Sequence, residues 1–509
     1  MRVPTDGWLL RDFLREALYN RDDGYFANAS SPPVGAMSAP IPFHALLGQE
    51  DYARTLARRY DALASQWLTP VEIFKPHYAR AVARHILRAH RAELDAPLDD
   101  DGEKERRRGR RRVGATPLRI YELGGGTGTC AAGILAHIRD DDPEVFASTE
   151  YVGVEISPTL AKMQRETVRR ELGDDVNIVI AGGTGGGGKG GDNNVGRATY
   201  SVERRDALDA ARWGPVDDAK CFVVALEVLD NLPHDRVLLL RDDASNSGNE
   251  TRLAQTRVFA RRRRGEDNAV DGFEQREEPL RDPLIARALE AIGDDESFFA
   301  FGFDVRAMAD RWIRGARDWN ARFVPTGALA LLETLHERRP RHRLVAADFD
   351  SLPNVRVPVR RFRLAIILFG FSIWLSFGFH SVLPCRLTWL RPSRSGQGIN
   401  APLVATQSPG GRTEDLPTYL DDVGACDVFF PTNFEHLARL DAFARSRARR
   451  TGGGSKRLEN GSSRRPKRSA EIVTTREFMR RHADLGATAT GSGYNPLTQD
   501  FANTKFFLS

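Results

Sequence analysis

Cysteine is scarce in this chain, with four in 509 residues. Cys130, Cys221, Cys385 and Cys426 lie far apart and form no C-x-x-C pair. That argues against a disulfide framework or a cysteine-built zinc site and fits a reducing compartment. No metal site is expected. Net charge is also small, because 74 basic residues nearly balance 69 acidic ones and leave +5. No field of one sign marks a nucleic-acid binder, and no specific nucleic-acid partner is expected. Basic clusters at 106–112, 261–264 and 456–468 lie in polar, low-complexity surroundings and read as solvated insertions. The first residues lack both an apolar signal core and an acid-poor amphipathic presequence, since Asp6, Asp12 and Glu16 interrupt them. Long hydrophobic runs are absent except Leu364–Phe379, which is near the lower length limit for a membrane span. Strands on either side of it should pair in one sheet, and a single crossing would separate them. Membrane association through 364–379 is therefore disfavoured. A surface-docked helix, a core segment or an insertion foreign to the fold are the alternatives.

What is present is a glycine turn in a definite context. Leu118-Arg-Ile-Tyr-Glu-Leu-Gly-Gly-Gly-Thr-Gly-Thr129 reads as a short apolar strand, Glu122, glycines at 124, 126 and 128, and a helix from about 130. Glycines at such a turn let the backbone approach a ligand that side chains would block. The nicotinamide pattern would need glycine at 129, where threonine stands. The Glu-x-Gly-x-Gly-x-Gly spacing favours S-adenosylmethionine over a dinucleotide. A second glycine tract nearly spells a phosphate loop, from Gly183 to Gly188-Lys189. Gly190 replaces the required Ser or Thr, so it reads as a flexible insertion.

The periodicity divides the chain. Helix spacing marks Trp8–Leu18, Tyr52–Leu68 and Tyr78–Leu94. From 117 the rhythm becomes alternating. Strands are expected at Arg119–Leu123, Tyr151–Ile156, Ser201–Glu203, Cys221–Leu226, Arg343–Ala347 and Asp427–Phe430, with helices at 130–139, 159–171, 282–292 and 326–337. This predicts an α/β fold with a mainly parallel, doubly wound sheet, an N-terminal helical region and several loop insertions. The implied organisation is a helical lid or substrate region over 1–116, the α/β domain over 117–440 with an atypical insertion at 357–399, and a basic flexible linker and tail over 441–509.

Acids at strand ends supply the candidate site. Glu155 ends the second strand, where a carboxylate can accept both hydroxyls of a ribose. Asp206 follows the third and could accept an adenine amino group. Past the fourth strand, Glu227-Val-Leu-Asp230-Asn231 puts two acids and an amide where substrates sit in open α/β sheets. Glu227 could orient a cationic guanidinium or ammonium. Asp230 reads equally as part of a helix cap.

These segments together resemble the MidA-like methyltransferase family, which includes mitochondrial complex I assembly factors that dimethylate a protein arginine. Phe13–Phe26 is similar to the family's opening helix and turn, Trp67–Glu72 to its Phe-x-Thr-x-x-Glu segment, Glu122–Thr129 to its glycine turn, and Glu227–Pro233 to its Glu-x-x-Asp-x-Leu-Pro loop. Asp427–Phe434 parallels a late strand, and 495–507 is also similar. The resemblance implies a Rossmann-like methyltransferase with S-adenosyl-L-methionine as cofactor. It implies Glu122, Gly124, Gly126, Gly128, Glu155 and Asp206 on the cofactor, Glu227 and Asp230 as catalytic groups, and Thr69 and Glu72 on the substrate side. It also implies a mitochondrial location and a protein acceptor, with a respiratory complex I subunit as the candidate. A catalytically silent assembly or binding protein on the same fold is the alternative.

Overall fold

The computed structural model describes residues 4–27, 32–63, 67–94, 117–179, 197–241, 251–262, 270–293, 321–352, 400–408, 412–421, 423–451 and 470–509. The near-phosphate loop, the hydrophobic run 364–379 and the basic clusters at 106–112 and 456–468 lie outside these. No described helix is long and apolar enough to cross a membrane.

The chain opens with β1 (Trp8–Leu9), α1 (Leu10–Tyr19), α2 (Gln49–Asp61), α3 (Pro70–Ile73) and α4 (His77–Leu94). It continues with β2 (Arg119–Leu123), α5 (Thr129–Asp141), β3 (Glu150–Glu155), α6 (Pro158–Leu172), β4 (Val176–Val179), β5 (Ala198–Arg204) and β6 (Cys221–Leu226). Then come β7 (Asp235–Arg241), β8 (Thr251–Arg262), β9 (Val270–Pro279), α7 (Pro283–Ile292), β10 (Ala321–Val324), α8 (Thr326–Arg338) and β11 (His342–Phe349). The last described elements are β12 (Leu403–Ser408), β13 (Arg412–Asp415), β14 (Asp427–Phe429), α9 (Phe434–Thr451), β15 (Glu471–Thr474), α10 (Thr475–His482) and β16 (Thr504–Leu508).

The main sheet has eight strands in the order β15-β16-β11-β6-β2-β3-β5-β4. Six run parallel, and β16 and β15 join antiparallel beside β11. Alternation along each strand shows that both faces are covered. In β6, Phe222 and Val224 join the core under α4, α5 and α6, while Cys221, Val223 and Ala225 join the core under α7, α8 and α9. Helix starts are chemically marked. Ser157 caps α6 ahead of Pro158, Asp282 caps α7 ahead of Pro283, and Thr474 forms a capping box with Glu477 at α10.

A third core lies outside this sheet. It joins α1 to a five-stranded sheet (β1-β8-β7-β10, with β9 on β8) and a three-stranded sheet (β13-β12-β14). Phe13, Leu14, Phe323, Val428 and Phe430 meet there. Four expectations change. Asp427–Phe430 was read as another strand of the main sheet, but β14 pairs antiparallel with β12. The basic cluster at 261–264 is expected in a solvated insertion, but its described residues Arg261 and Arg262 belong to the long β8–β9 hairpin, which takes β1 along its other edge. Residues 441–509 were read as linker and tail. Instead, 441–451 extend α9, and β16 forms full ladders with β11 and β15. The helix expected over 52–68 also stops at Asp61.

Phe506 of β16 is fully buried and stacks on Phe478, with ring centroids 3.8 Å apart. Phe506→Ala should lower unfolding stability by about 3–5 kcal/mol. Urea denaturation checks this, and a loss below about 1 kcal/mol would mean that β16 is not integral to the sheet.

Candidate active site

The glycine turn connects β2 to α5. Gly126 adopts φ 53°, a left-handed backbone that resists side chains, and it lines the cavity with only Val34 near its missing Cβ. Gly128 serves a different purpose from the one its spacing suggested. A Cβ there would lie 2.7 Å from the Cα of Gln164. Its bareness lets α5 pack on α6, and it is not among the residues lining the cavity, whereas Gly124 is.

Two carboxylates support the turn from within the sheet. Glu122 accepts from the Tyr151 hydroxyl at 3.0 Å and lies beneath Gly125. Glu155 accepts from the Ser157 amide and from Gln164 Nε2, both at 2.9 Å. Burial pushes both carboxyls up to about 7. Gln164 is a group that sequence reasoning missed. It touches Gly125, Gly128 and Glu155 at once, and nothing in its helical neighbourhood distinguishes it. Asp206 also lines the cavity, but its oxygens are engaged. One accepts from the Leu208 amide at 2.9 Å, and the other pairs with Arg15 of α1 at 2.6 Å. Arg15 therefore reaches over the cavity from the N-terminal region, again without a sequence signal.

The acids after β6 gather with two more. Glu227 has φ 54°, a strained backbone for a side-chain-bearing residue, and its N–H donates a hydrogen bond to the Ala347 carbonyl at 2.8 Å. Its carboxylate has no hydrogen-bond or ion-pair partner among the described residues. Burial, then the charge of Asp348, raises its carboxyl well above the ordinary range. Asp230 is buried with Oδ1 unpartnered, and burial and Asp348 raise it too. Asp348 does not line the cavity. It accepts from the amides of Leu229 at 2.8 Å and Asp230 at 3.1 Å, and so fixes the loop that carries both acids. Asp427 accepts from Asn231 Nδ2 at 2.8 Å, and burial raises it to about 7. Asp348 stands at the end of an expected strand, so the rule that selected Glu155 and Glu227 could have found it.

Thr69 lines the cavity and caps α3. Glu72 was assigned to the substrate side, but its buried carboxylate turns elsewhere. It accepts from Thr129 Oγ1 at 2.6 Å, from the Met37 amide and from Lys75. It ties the N-terminal segment to the start of α5. The enclosed space is about 520 Å³. It is lined by the glycine turn, by the aromatic side chains of Tyr19, Phe26, Tyr60 and Trp67, and by the Glu227 loop. Bare backbone and buried carboxylates suit a polar ligand with hydroxyl and amino donors. The unpartnered acids suit a cation.

Residues 107–363 match a family model described as "Putative S-adenosyl-L-methionine-dependent methyltransferase". No curated protein matches the chain. Among solved structures, the chain is similar to a Burkholderia thailandensis protein crystallised bound to S-adenosyl-homocysteine. The identity is 15%, covering 99% of this chain and 88% of that one, with a TM-score of 0.49. It is also similar to the native crystal structure of an uncharacterized protein from the same organism, at 14% identity, 99% and 87% coverage and a TM-score of 0.44.

The buried acids set a pH dependence. Folded Glu122, Glu155 and Asp427 keep their protons up to about pH 7, whereas unfolded carboxyls lose them near about pH 4. Their contribution to stability is therefore complete below about pH 4 and lost as pH rises through about 7. The urea midpoint of the ligand-free protein should fall between pH 5 and 8, and Glu122→Gln should flatten part of that fall. An unchanged slope in the variant counts against this assignment.

Proposed function

We propose that this chain, which belongs to the family of S-adenosyl-L-methionine-dependent methyltransferases, transfers the methyl group of that cofactor to a cationic nitrogen of a protein, with an arginine guanidinium as the acceptor. The observation that carries this reading is a pair of buried acids lining the same cavity as the glycine turn, Glu227 with no hydrogen-bond partner among the described residues and Asp230 with its Oδ1 unpartnered.

The residues present fit the cofactor. The space a Cβ would take at Gly126 is open to the cavity, and Glu155 stands at the adjacent strand end. Gly124 and Gly126 would let the backbone meet the cofactor, Glu155 would accept from its ribose hydroxyls, and Asp206, whose oxygens each keep a second lone pair beside the Leu208 amide and Arg15, from its adenine amino group. Glu122, which also lines the cavity, would face the cofactor from beneath the turn, and Gly128 would act indirectly by holding it. The cofactor supplies a methyl group made electrophilic by its sulfonium, which needs no metal.

The chain's remaining task is to position the acceptor and receive a proton. Glu227 and Asp230 would accept hydrogen bonds from the guanidinium, and its charge would draw both carboxyls toward their ionised forms. As the new N–C bond forms, the acceptor nitrogen must lose a proton. Glu227, raised by burial and by Asp348, has the proton affinity to take it. The aromatic wall would exclude water and favour a cation over its ring faces. The family resemblance extends the proposal to a mitochondrial location and to a respiratory complex I subunit as the acceptor.

Two variants test the reading. Gly126→Val places a β-branched residue on a left-handed backbone inside the cavity, so calorimetric binding of S-adenosylmethionine should fall below detection. Unchanged affinity would move the site elsewhere. Glu227→Gln should keep cofactor affinity within about threefold while methyl transfer from labelled donor to protein in a mitochondrial extract drops by about 100-fold or more. Full transfer by that variant would remove Glu227 from the chemistry. Cofactor binding by the unaltered chain without any transfer would favour a silent assembly protein.

A further inference from the structure

At the opposite end of the main sheet from the cavity, three side chains from three elements converge. They are His336 in the last turn of α8, His342 at the start of β11 and Asp441 on α9. One ligand atom from each lies within 4.8 Å of the others. Asp348, in the acid cluster, is six residues further along β11, roughly 20 Å away at the rise of a strand. The group is therefore separate from the methyl-transfer cavity.

The hydrogen bonds around it are informative. His342 Nδ1 lies 2.7 Å from the Arg339 carbonyl. A carbonyl can only accept, so Nδ1 carries the hydrogen and Nε2 carries a lone pair. That Nε2 is buried and has no partner. His336 Nε2 lies 2.7 Å from Asp441 Oδ1, and Arg445 holds the other Asp441 oxygen at 2.7 Å. The His336 and His342 ring centroids lie 4.7 Å apart, and a backbone carbonyl that fixes one ring nitrogen while the other stays free is how proteins orient imidazole ligands for a metal.

We infer that His336, His342 and Asp441 form a site for a divalent transition metal, with zinc as the ion that their nitrogen and oxygen donors suit. Three such ligands with water as the fourth make a tetrahedral set. Ligand atoms around zinc sit about 3.4 Å apart at bond lengths near 2.1 Å, so modest rotation of the two imidazoles closes the present spacing. His336 turns its Nε2 lone pair to the ion, and its ring hydrogen moves to Nδ1. Arg445 keeps the outer oxygen of Asp441 and makes the carboxylate bind through one atom. The ion would lock α8, β11 and α9 together behind the sheet. Asp441 is 105 residues from His336, which is why no ligand spacing announces the site in the sequence.

The full-length chain, stripped with a chelator, should take up one equivalent of zinc by calorimetry, gain thermal stability, and show cobalt absorption bands of a tetrahedral ion. His342→Ala and Asp441→Asn should each weaken zinc binding at least about tenfold and abolish those bands. Near-UV circular dichroism of the zinc-free variants establishes that they are folded, and His137→Ala, outside the cluster, should bind as the unaltered chain does. The proposal is overturned by folded protein that takes up no zinc at tens of micromolar. It is equally overturned if His342→Ala and Asp441→Asn bind zinc as tightly as the unaltered chain, which would put the ion elsewhere. Neither readout depends on methyl transfer.

Discussion

Carboxyl groups at neighbouring ends of parallel strands cannot all ionise in a dry site without a compensating cation. Glu122, Glu155, Glu227 and Asp348 stand at or just beyond the ends of β2, β3, β6 and β11, with Asp230 and Asp427 beside them. Desolvation is the largest cause of the upward shift in every one of these carboxyls. Part of the cost is met locally. Asp348 takes backbone amides, Glu155 takes an amide and Gln164, and Asp427 takes Asn231. Glu227 is left without such compensation, Asp230 has only the Asn231 amide and keeps its Oδ1 unpartnered, and both line the cavity. The site is thus prepared for positive charge before any ligand arrives.

That preparation depends on parts of the chain far from the sheet. Arg15 reaches Asp206 from α1, Tyr19 donates its hydroxyl to the Asn231 carbonyl at 3.0 Å, and Glu72 links Thr129 to the Met37 amide. The N-terminal region is therefore bonded to three residues that line the cavity, Asp206, Asn231 and Thr129. It is also packed, through Phe13 and Leu14, into the third core with β8, β12 and β14. A disturbance in the antiparallel sheets would reach the cavity wall through α1.

Legibility in the sequence followed physical locality. Arg119–Leu123 and Cys221–Leu226 form strands at the expected residues, because short apolar runs bounded by glycine or acid have few other folds available. The β8–β9 hairpin was not legible, since its alternation is diluted by arginine and glutamate on an exposed face. β16 was read as tail because its partner β11 is distant in sequence. Gly128 and Glu72 were assigned by motif position to ligand and substrate. Their surroundings give them packing and clamping duties instead.

The sequence by itself determined the strand–glycine–helix turn, the acids at strand ends and the alternating architecture. Each depends on backbone preferences or apolar periodicity within a few residues. Tertiary structure alone decided which acids stay unpartnered, that Asp348 holds the Glu227 loop, that Gln164 lies under the turn, and that His336, His342 and Asp441 meet. Those facts depend on which distant groups share a desolvated space, and no local pattern encodes that.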